Sequence, residues 1–323
     1  AAAPPDLVDP VEAPDAGTEA FDAGVAADAG HGPPWPVVFL HGMAGWTTIG
    51  LGPVQLSYFR GVDEALEAAG ERDVFFPQVS PYAGSAARAA QLVPQLTEIL
   101  ERTGARKLHL VAHSQGGLDA RLLVSPAGLD FGAHVASITT VSTPHHGTRV
   151  ADLALTVLGK DEPSFINPAV EALVSLLGYS FSSLDDAGES ALRVQLIDLS
   201  QAGATAFNAA YPDAPGVRYE SYAGRTNLRT GRTACADSAL SNDPWDLDPT
   251  HPALQLTATT LEGNPLDPDV NDGLVTVESA RWGTFVRCVA ADHLDEMGMN
   301  LGISFDAPRF YVRLVERLRA QGG

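Results

Sequence analysis

The chain has 323 residues, with 20 Lys and Arg against 40 Asp and Glu, which gives a formal net charge of −20. This charge excludes a basic surface for nucleic acid, because such a surface must neutralise phosphates. Hydrophobic residues make up 45% of the sequence, enough for a packed core, but no apolar run approaches the ~20 residues of a membrane-spanning helix. Cys235 and Cys288 do not form a C-x-x-C pair, so zinc-ribbon and thioredoxin-type motifs are excluded as well.

The first 34 residues consist mainly of Ala, Pro, Gly and acidic residues, and they contain no Lys or Arg. Such a segment cannot bury enough apolar surface to offset its ordering entropy. We therefore predict a disordered acidic tail over residues 1–34 and one folded domain over residues 35–323. The chain begins at Ala1 rather than Met, which a processed secretory precursor would explain, although a chain trimmed for expression would look the same.

Strands alternate with helices after the tail. Short apolar runs rich in β-branched residues predict buried strands, and apolar residues at helical spacing predict helices between them. Alternation of this kind predicts an α/β fold with a mostly parallel central sheet flanked by helices. The predicted elements are a strand at Pro36–Leu40 with a glycine-bearing turn to Gly45, a strand at Val74–Val79, a helix over 84–103 ended by Gly104, a strand at Lys107–Val111, a helix at Leu118–Leu123, and strands at Val135–Val141 and Thr284–Val289.

The most specific motif is Ala112-His113-Ser114-Gln115-Gly116-Gly117, between a predicted strand and a predicted helix. A serine on a strained strand-to-helix turn needs small neighbours two positions away on each side. The motif resembles the nucleophile elbow of the α/β-hydrolases, usually G-x-S-x-G, with Ala112 in place of the first glycine. The pattern predicts Ser114 as a nucleophile, with the helix N-terminus behind it favouring negative charge.

A serine nucleophile needs a base, and the base needs an acid that orients it. In α/β-hydrolases the order along the chain is Ser, acid, His, which selects His293 among the nine histidines. Asp272, in a turn before Gly273, is the preferred acid, while Asp267 and Asp269 remain alternatives. His41 and His113 flank the two turns and are interpreted as turn residues.

Four phrases together carry a closer resemblance, namely His41-Gly42-Met43, His113 to Gly117, Asn271 to Val275, and His293-Leu294-Asp295-Glu296. Together they resemble the secreted triacylglycerol lipases of the Pseudomonas–Burkholderia type, over about residues 36–318. The resemblance implies Ser114, Asp272 and His293 as the catalytic triad. It also implies an oxyanion hole formed by the backbone N–H groups of Met43 and Gln115.

The same resemblance implies a structural Ca²⁺ near the loop of His293. Asp295 matches one carboxylate ligand and Asp248 the other, with Asp246 as an alternative. Backbone carbonyls of Met299 and Ile303 would complete the ligands, and such hard oxygen atoms suit Ca²⁺.

The chain departs from the family at its cysteines. The family usually has a cysteine six residues after the catalytic acid, where this chain has Glu278. If the protein is exported, a disulfide between Cys235 and Cys288 becomes plausible. We predict that bridge, with two buried free thiols as the alternative.

The segment over about residues 148–199 is interpreted as a helical lid, because α/β-hydrolases insert caps between the strands after the serine and the acid loop. An apolar face at helical spacing supports this interpretation, although an ordinary core helix would have the same pattern. The residues of that face are Val170, Leu173, Val174, Leu177, Phe181 and Leu184.

The predicted function is hydrolysis of triacylglycerol esters through a serine acyl-enzyme at a lipid interface. A carboxylesterase or phospholipase with the same triad is the nearest alternative, and a catalytically silent binding protein of the same fold is a second. The resemblance also implies a lipase-specific foldase as a possible partner.

Overall fold

The computed structural model describes residues 33–45, 49–51, 54–158, 186–226, 248–264, 266–299 and 305–322. The acidic tail predicted over residues 1–34 therefore lies outside the described residues, apart from its last two. No helix in the described ranges is both long and apolar enough to cross a membrane.

A six-stranded sheet, with every neighbouring pair parallel, forms the centre of the molecule in the order β4-β1-β5-β6-β7-β8. The prediction of a mostly parallel sheet is confirmed. A separate antiparallel pair, β2 with β3, follows β1 along the chain. The strands are β1 Val37–Leu40, β2 Ile49–Leu51, β3 Val54–Leu56, β4 Val74–Phe75, β5 Leu108–His113, β6 Val135–Val141, β7 Arg218–Arg225 and β8 Thr284–Ala290.

Helices connect the strands and cover both faces of the sheet. The longest, α2, ends at Gly104 with φ 67°, a left-handed conformation that glycine adopts without the strain of a side chain. The described helices are α1 Val62–Ala68, α2 Ser85–Thr103, α3 Gly116–Val124, α4 Arg149–Leu158, α5 Asp186–Leu199, α6 Gln201–Ala210, α7 Gln255–Glu262, α8 Val277–Ala280 and α9 Ala307–Ala320.

Successive side chains of the central strands enter two different cores. In β1, Val38 and Leu40 pack with residues of α2 and α3, whereas Val37 and Phe39 pack with residues of α1 and α9. This alternation follows from the two-residue period of a strand, and burial on both faces explains why β1 is apolar throughout.

The predicted strand at Val74–Val79 is too long, because β4 ends at Phe75. Pro77 has no N–H to donate to a sheet ladder, and the N–H of Val79 instead donates to Nε2 of His41 at 3.2 Å. The residues after Gly273 do not form a strand, since this segment makes a single bridge between Asn271 and Thr276 and then enters α8.

The parallel strands end at one edge of the sheet, where ligands bind in open α/β folds. Residues after β1, β5, β6 and β8 meet there: the turn at His41, the serine Ser114, Ser142 and the loop that carries His293.

Candidate active site

Ser114 occupies the turn between β5 and α3 and has a φ of 54°. A non-glycine residue in the left-handed region is strained, and the surrounding structure must hold it in place. The N–H of Ser114 donates to the carbonyl of Val141 at 3.0 Å, and Oγ1 of Thr143 donates to the carbonyl of Ser114 at 2.7 Å. The last residue of β6 and a residue just after it therefore hold the N–H and the carbonyl of Ser114.

Glycines lie where the backbone passes closest to this turn. A Cβ on Gly42 would lie 2.7 Å from Cβ of Ser114, and one on Gly116 would lie 2.7 Å from the carbonyl oxygen of Leu40. Because real Cβ atoms do not approach so closely, the serine turn and the turn after β1 can meet only through glycine.

His293 and Asp272 form a buried pair at the same sheet edge. Nδ1 of His293 lies 2.7 Å from Oδ2 of Asp272, and the N–H of His293 donates to the Asp272 carbonyl at 2.9 Å. Oδ1 of Asp272 accepts the N–H groups of Leu274 at 2.8 Å and Val275 at 2.6 Å. This carboxylate is fully buried and orients the imidazole through Nδ1, so that Nε2 is the nitrogen not engaged by the acid.

The two alternative acids lie on the surface. Asp269 is exposed and its Oδ2 accepts from Arg149 at 2.9 Å, and Asp267 is exposed as well. The structure therefore pairs His293 with Asp272 and not with the other acids considered.

A second buried network lies against His293. The rings of His113 and His293 are 4.5 Å apart, and His113 hydrogen bonds to the Tyr58 hydroxyl at 2.7 Å and to Glu296 at 2.9 Å. The hydroxyl of Ser142 donates to the other carboxyl oxygen of Glu296 at 2.7 Å. Burial lowers the pKa of His113 well below its ordinary value and raises that of Glu296, to which the charge of Asp272 adds.

The interpretation of His113 as a turn residue was thus incomplete, because its side chain belongs to the site. His41 does serve its turn: its Nδ1 lies 2.9 Å from the Gly42 carbonyl, and its Nε2 accepts from Val79.

The predicted oxyanion donors, the N–H groups of Met43 and Gln115, lie on the two turns that Gly42 allows to meet. Neither N–H has an acceptor in the part of the chain that the structure describes. The Met43 turn is held by the buried guanidinium of Arg88, which donates to the His41 carbonyl at 2.6 Å and to Asp119 at 2.7 Å.

Comparisons with known proteins agree with this architecture. The family model of the alpha/beta hydrolase fold matches residues 36–158, which contain the serine turn. A Staphylococcus hyicus lipase structure superposes with a TM-score of 0.58 at 18% identity, covering 89% of this chain and 97% of that chain. The chain has the α/β-hydrolase fold.

Proteins similar in sequence to this chain include lipases from the two genera of the predicted resemblance. A Burkholderia plantarii triacylglycerol lipase is 29% identical, covering 94% of this chain and 91% of the relative. A Pseudomonas fragi triacylglycerol lipase is also 29% identical, covering 89% and 97%. The predictions of the fold, of a hydrolase, and of similarity to bacterial triacylglycerol lipases are confirmed.

Three buried carboxylates of the hydrolase meet beside the His293 loop. Asp248, Asp292 and Asp295 each place an oxygen within 4.8 Å of the others. Asp248 and Asp295 were predicted as ligands, but Asp292 was missed. Of the other predicted ligands, Ile303 lies outside the described residues, as does the alternative Asp246, and Met299 is partly exposed at 47%.

The chemistry of this acidic cluster fits a hard divalent cation. Burial, followed by the charge of Asp292, raises the pKa of Asp295 to about 8. Carboxylates brought together in a buried position repel one another, and a bound Ca²⁺ reverses that interaction. The set of oxygen donors therefore suits the calcium ion that the family resemblance implies.

The predicted lid over residues 148–199 is described only at its two ends, by α4 and α5. The apolar helix face between Val170 and Leu184 lies outside the described residues. Leu192, Leu196 and Leu199 of α5 are buried in the core cluster that contains α2 and α3, so this end of the segment is docked on the core.

Tyr58, Glu296 and Asp292 are the site residues that sequence reasoning missed. Glu296 is the last residue of the phrase His293 to Glu296, and Asp292 directly precedes that phrase. Closeness to His293 in the sequence was therefore an available signal for both residues. Tyr58 carried no such signal, because it reaches His113 across 55 residues of sequence.

Proposed function

We propose that this protein is a secreted serine lipase that hydrolyses triacylglycerol esters, with Ser114 as nucleophile, His293 as base and Asp272 as the orienting acid. The observation that carries the proposal is the buried hydrogen bond of 2.7 Å between His293 and Asp272, at the sheet edge that carries the strained Ser114. The names of the relatives support the choice of triacylglycerols.

Acylation begins when Nε2 of His293 removes the proton of the Ser114 hydroxyl as Oγ attacks the ester carbonyl carbon. The carbonyl oxygen becomes an oxyanion that the N–H groups of Met43 and Gln115 stabilise. Collapse of this intermediate breaks the bond to the alcohol, which leaves with the proton from His293. Asp272 keeps the imidazole oriented and stabilises its charged form.

Deacylation repeats the sequence with water. His293 removes a proton from water as the water oxygen attacks the acyl-enzyme, and the same two N–H groups stabilise the second oxyanion. The proton then returns to Oγ of Ser114 as the fatty acid leaves. Removing one such oxyanion donor typically lowers the rate by about 100- to 1000-fold, so both turns matter for the rate.

Substrate preference tests the proposal. We expect faster turnover of emulsified long-chain triacylglycerol than of soluble short-chain esters, and stoichiometric labelling of Ser114 by a fluorophosphonate. Preference for soluble esters, or for phospholipid, would favour the esterase or phospholipase alternative. Absence of labelling would favour the silent binding protein.

A bound Ca²⁺ would be held by Asp248, Asp295 and Asp292, with carbonyls of Met299 and Ile303 as further proposed ligands. The ion would supply positive charge that neutralises the buried carboxylates. Asp295 lies two residues from His293, so the same residues restrain the loop of the base.

The bridge between Cys235 and Cys288 belongs to the same proposal. Cys288 is buried in β8, Cys235 lies outside the described residues, and no free thiol occurs among the residues described. Titration of the denatured protein without reductant should find no thiol, and two thiols would contradict the bridge.

The lid over about residues 148–199, the disordered tail over residues 1–34 and the single domain over residues 35–323 remain part of the proposal. So do secretion through the periplasm and maturation by a lipase-specific foldase. Limited proteolysis should cut the tail first, and co-expression with a foldase should raise the yield of active enzyme.

A further inference from the structure

Gln195 is a polar side chain buried on an otherwise apolar face of α5. It is fully inaccessible and follows Leu192 by one helical turn, while its neighbour Val194 is half exposed. Its amide Nε2 donates twice, to Oε1 of Gln115 at 2.7 Å and to the carbonyl of Pro81 at 3.1 Å. A buried amide with two specific acceptors indicates a defined task for this side chain.

The direction of these hydrogen bonds is fixed by carbonyls at both ends. Nε2 of Gln115 donates to the Ala83 carbonyl at 3.0 Å, which leaves its Oε1 as the acceptor for Gln195. Gln195 must then use its nitrogen for both Gln115 and Pro81, because a carbonyl cannot donate. Gln195 is therefore a double donor.

The two acceptors of Gln195 lead to the two sides of the oxyanion hole. Gln115 supplies one N–H donor from its own backbone. The Pro81 carbonyl also accepts the N–H of Ala44 at 2.9 Å, and Ala44 directly follows Met43, the other donor. One amide from α5 thus connects the turn after β1 with the turn after β5.

The amide of Gln195 serves its acceptors rather than its own packing. Oε1 of Gln195 is buried and has no partner among the described residues, and an unpaired buried carbonyl costs free energy. An apolar side chain of the same size would avoid that cost but would leave the buried Oε1 of Gln115 without its donor.

We propose that Gln195 is a positioning residue that sets the separation of the Met43 and Gln115 N–H groups. This inference rests on the proposed function, since it assumes an oxyanion between those two donors. Donors of this kind act only when they lie within hydrogen-bond distance of the developing charge. Gln195 comes from the helix that ends the proposed lid segment, so docking of α5 and assembly of the oxyanion hole are joined.

Two variants test the role. Gln195→Glu keeps the shape but replaces the amide nitrogen, which donates two hydrogen bonds, with a carboxylate oxygen that accepts them. Gln195→Met keeps the volume and removes both hydrogen bonds. Each sample is quantified by the endpoint of fluorophosphonate titration, so that kcat on a soluble p-nitrophenyl ester refers only to folded, reactive sites. We expect kcat to fall by about 10- to 100-fold, less than the loss of a whole donor, with KM within about twofold of the wild type.

A transition-state analogue separates positioning from general stability. A trifluoromethyl ketone adds to the serine and places its oxyanion between the two N–H groups. Its affinity should fall in parallel with kcat in both variants, because it depends on the same donors. The variant Gln115→Met should lose as much kcat as Gln195→Met, and the double variant should lose no more than either.

Asp198→Ala is the matched control on the same helix. Oδ2 of Asp198 accepts the N–H of Ser85 at 2.6 Å, which holds α5 against the start of α2 through a hydrogen bond that involves neither Gln115 nor Pro81. We expect a lower melting temperature with unchanged kcat per titrated site.

Two results would overturn the inference. The first is a Gln195 variant whose kcat per titrated site stays within twofold of the wild type, and the second is an equal loss in Asp198→Ala, which would assign the effect to docking of α5. If the wild type itself has no site that a fluorophosphonate labels at Ser114, the proposed function fails instead, and the two failures are distinguished.

Discussion

The serine side and the acid–base side of the site are held in place by different means. On the serine side, backbone hydrogen bonds and close glycine contacts fix Ser114, and the nearby Arg88 is paired with Asp119. On the acid–base side, buried carboxylates surround His293, with Asp272 on Nδ1 and the acidic cluster of Asp248, Asp292 and Asp295 next to it.

This difference predicts different sensitivities. The serine side depends on shape, so that a single added methyl group disturbs it. The acid–base side depends on charge, because several buried carboxylates must be compensated by donors or by a cation. Variants and solution conditions that change only shape or only charge therefore separate the two sides.

Ser114→Ala should have the largest effect. It removes the nucleophile, and we expect kcat/KM for ester hydrolysis to fall by at least about 1000-fold, since little catalysis remains without a triad member. The circular dichroism spectrum and the melting temperature should change little, because alanine keeps the Cβ of the strained turn. The buried serine Ser125, whose hydroxyl donates to the Pro212 carbonyl at 2.8 Å, is a control: Ser125→Ala should keep its activity. Retention of more than a thousandth of the rate in Ser114→Ala would identify another nucleophile.

Removal of Ca²⁺ should act mainly on the acid–base side. A ligand that binds only the folded state at 100 times its Kd contributes about 2.7 kcal/mol to the free energy of unfolding. We therefore expect excess EGTA to lower the melting temperature and the activity together, with both restored by added Ca²⁺. Unchanged melting and activity in EGTA would rule out the calcium site and leave the serine side untouched.

The variant Asp295→Asn sharpens this test because its effect on the melting temperature should be opposite with and without Ca²⁺. With Ca²⁺ present, loss of a ligand lowers the melting temperature. In EGTA, loss of one of three repelling carboxylates raises it. The exposed acid Asp267 offers a control, since Asp267→Asn should respond to EGTA as the wild type does.

Gly42→Ala should disturb the serine side. The added Cβ would lie 2.7 Å from both Cβ of Ser114 and the hydroxyl of Tyr58. Overpacking of this kind costs about 1–3 kcal/mol, which we expect to see in urea unfolding, with a loss of kcat because the Met43 turn must move. Gly70 has a positive φ but no atom within 4 Å of an added Cβ, so Gly70→Ala is the control that reports backbone strain alone. A fully active Gly42→Ala would show that the two turns need not touch.

The sequence predicted the strand and the helix on either side of Ser114 because their signal is local, while the catalytic role of Ser114 stays a prediction. The strand, the serine and the small residues from Ala112 to Gly117 are contiguous, so the small residues that the turn requires can be read directly from the sequence. The chain order then led to Asp272 and His293, which the structure pairs.

The network around His113 was beyond sequence reasoning, because contacts at great sequence separation form it. Glu296 lies 183 residues from His113 and 154 from Ser142. A lone tyrosine, such as Tyr58, carries no pattern that marks it as a partner, and the position of Glu296 close to His293 in the sequence does not reveal that its carboxylate contacts His113. The same holds for Gln195, whose role depends on where α5 docks.

The smallest expected effect is a pH dependence on the serine side. Burial, followed by the charge of Arg88, lowers the pKa of His41 to about 4 from an ordinary value of 6.5. The unfolded chain therefore binds a proton on this residue more readily than the folded chain. His41 contributes stability above pH 6.5 that is lost as the pH falls from 6.5 towards 4.

His41→Gln isolates that contribution, because an amide can accept the N–H of Val79 but does not titrate. Between pH 7.5 and pH 5.5 the wild type should lose about 1 kcal/mol of unfolding free energy more than the variant, as the shifted pKa requires. Urea unfolding of both proteins at the two pH values measures this difference. The contributions of the other titrating groups are the same in both proteins and therefore cancel. An equal loss in both proteins would mean that the folded chain protonates His41 as readily as the unfolded chain. The turn that precedes Met43 would then have no pH-dependent contact through His41, whereas the predicted difference would show that protonation of His41 destabilises this turn.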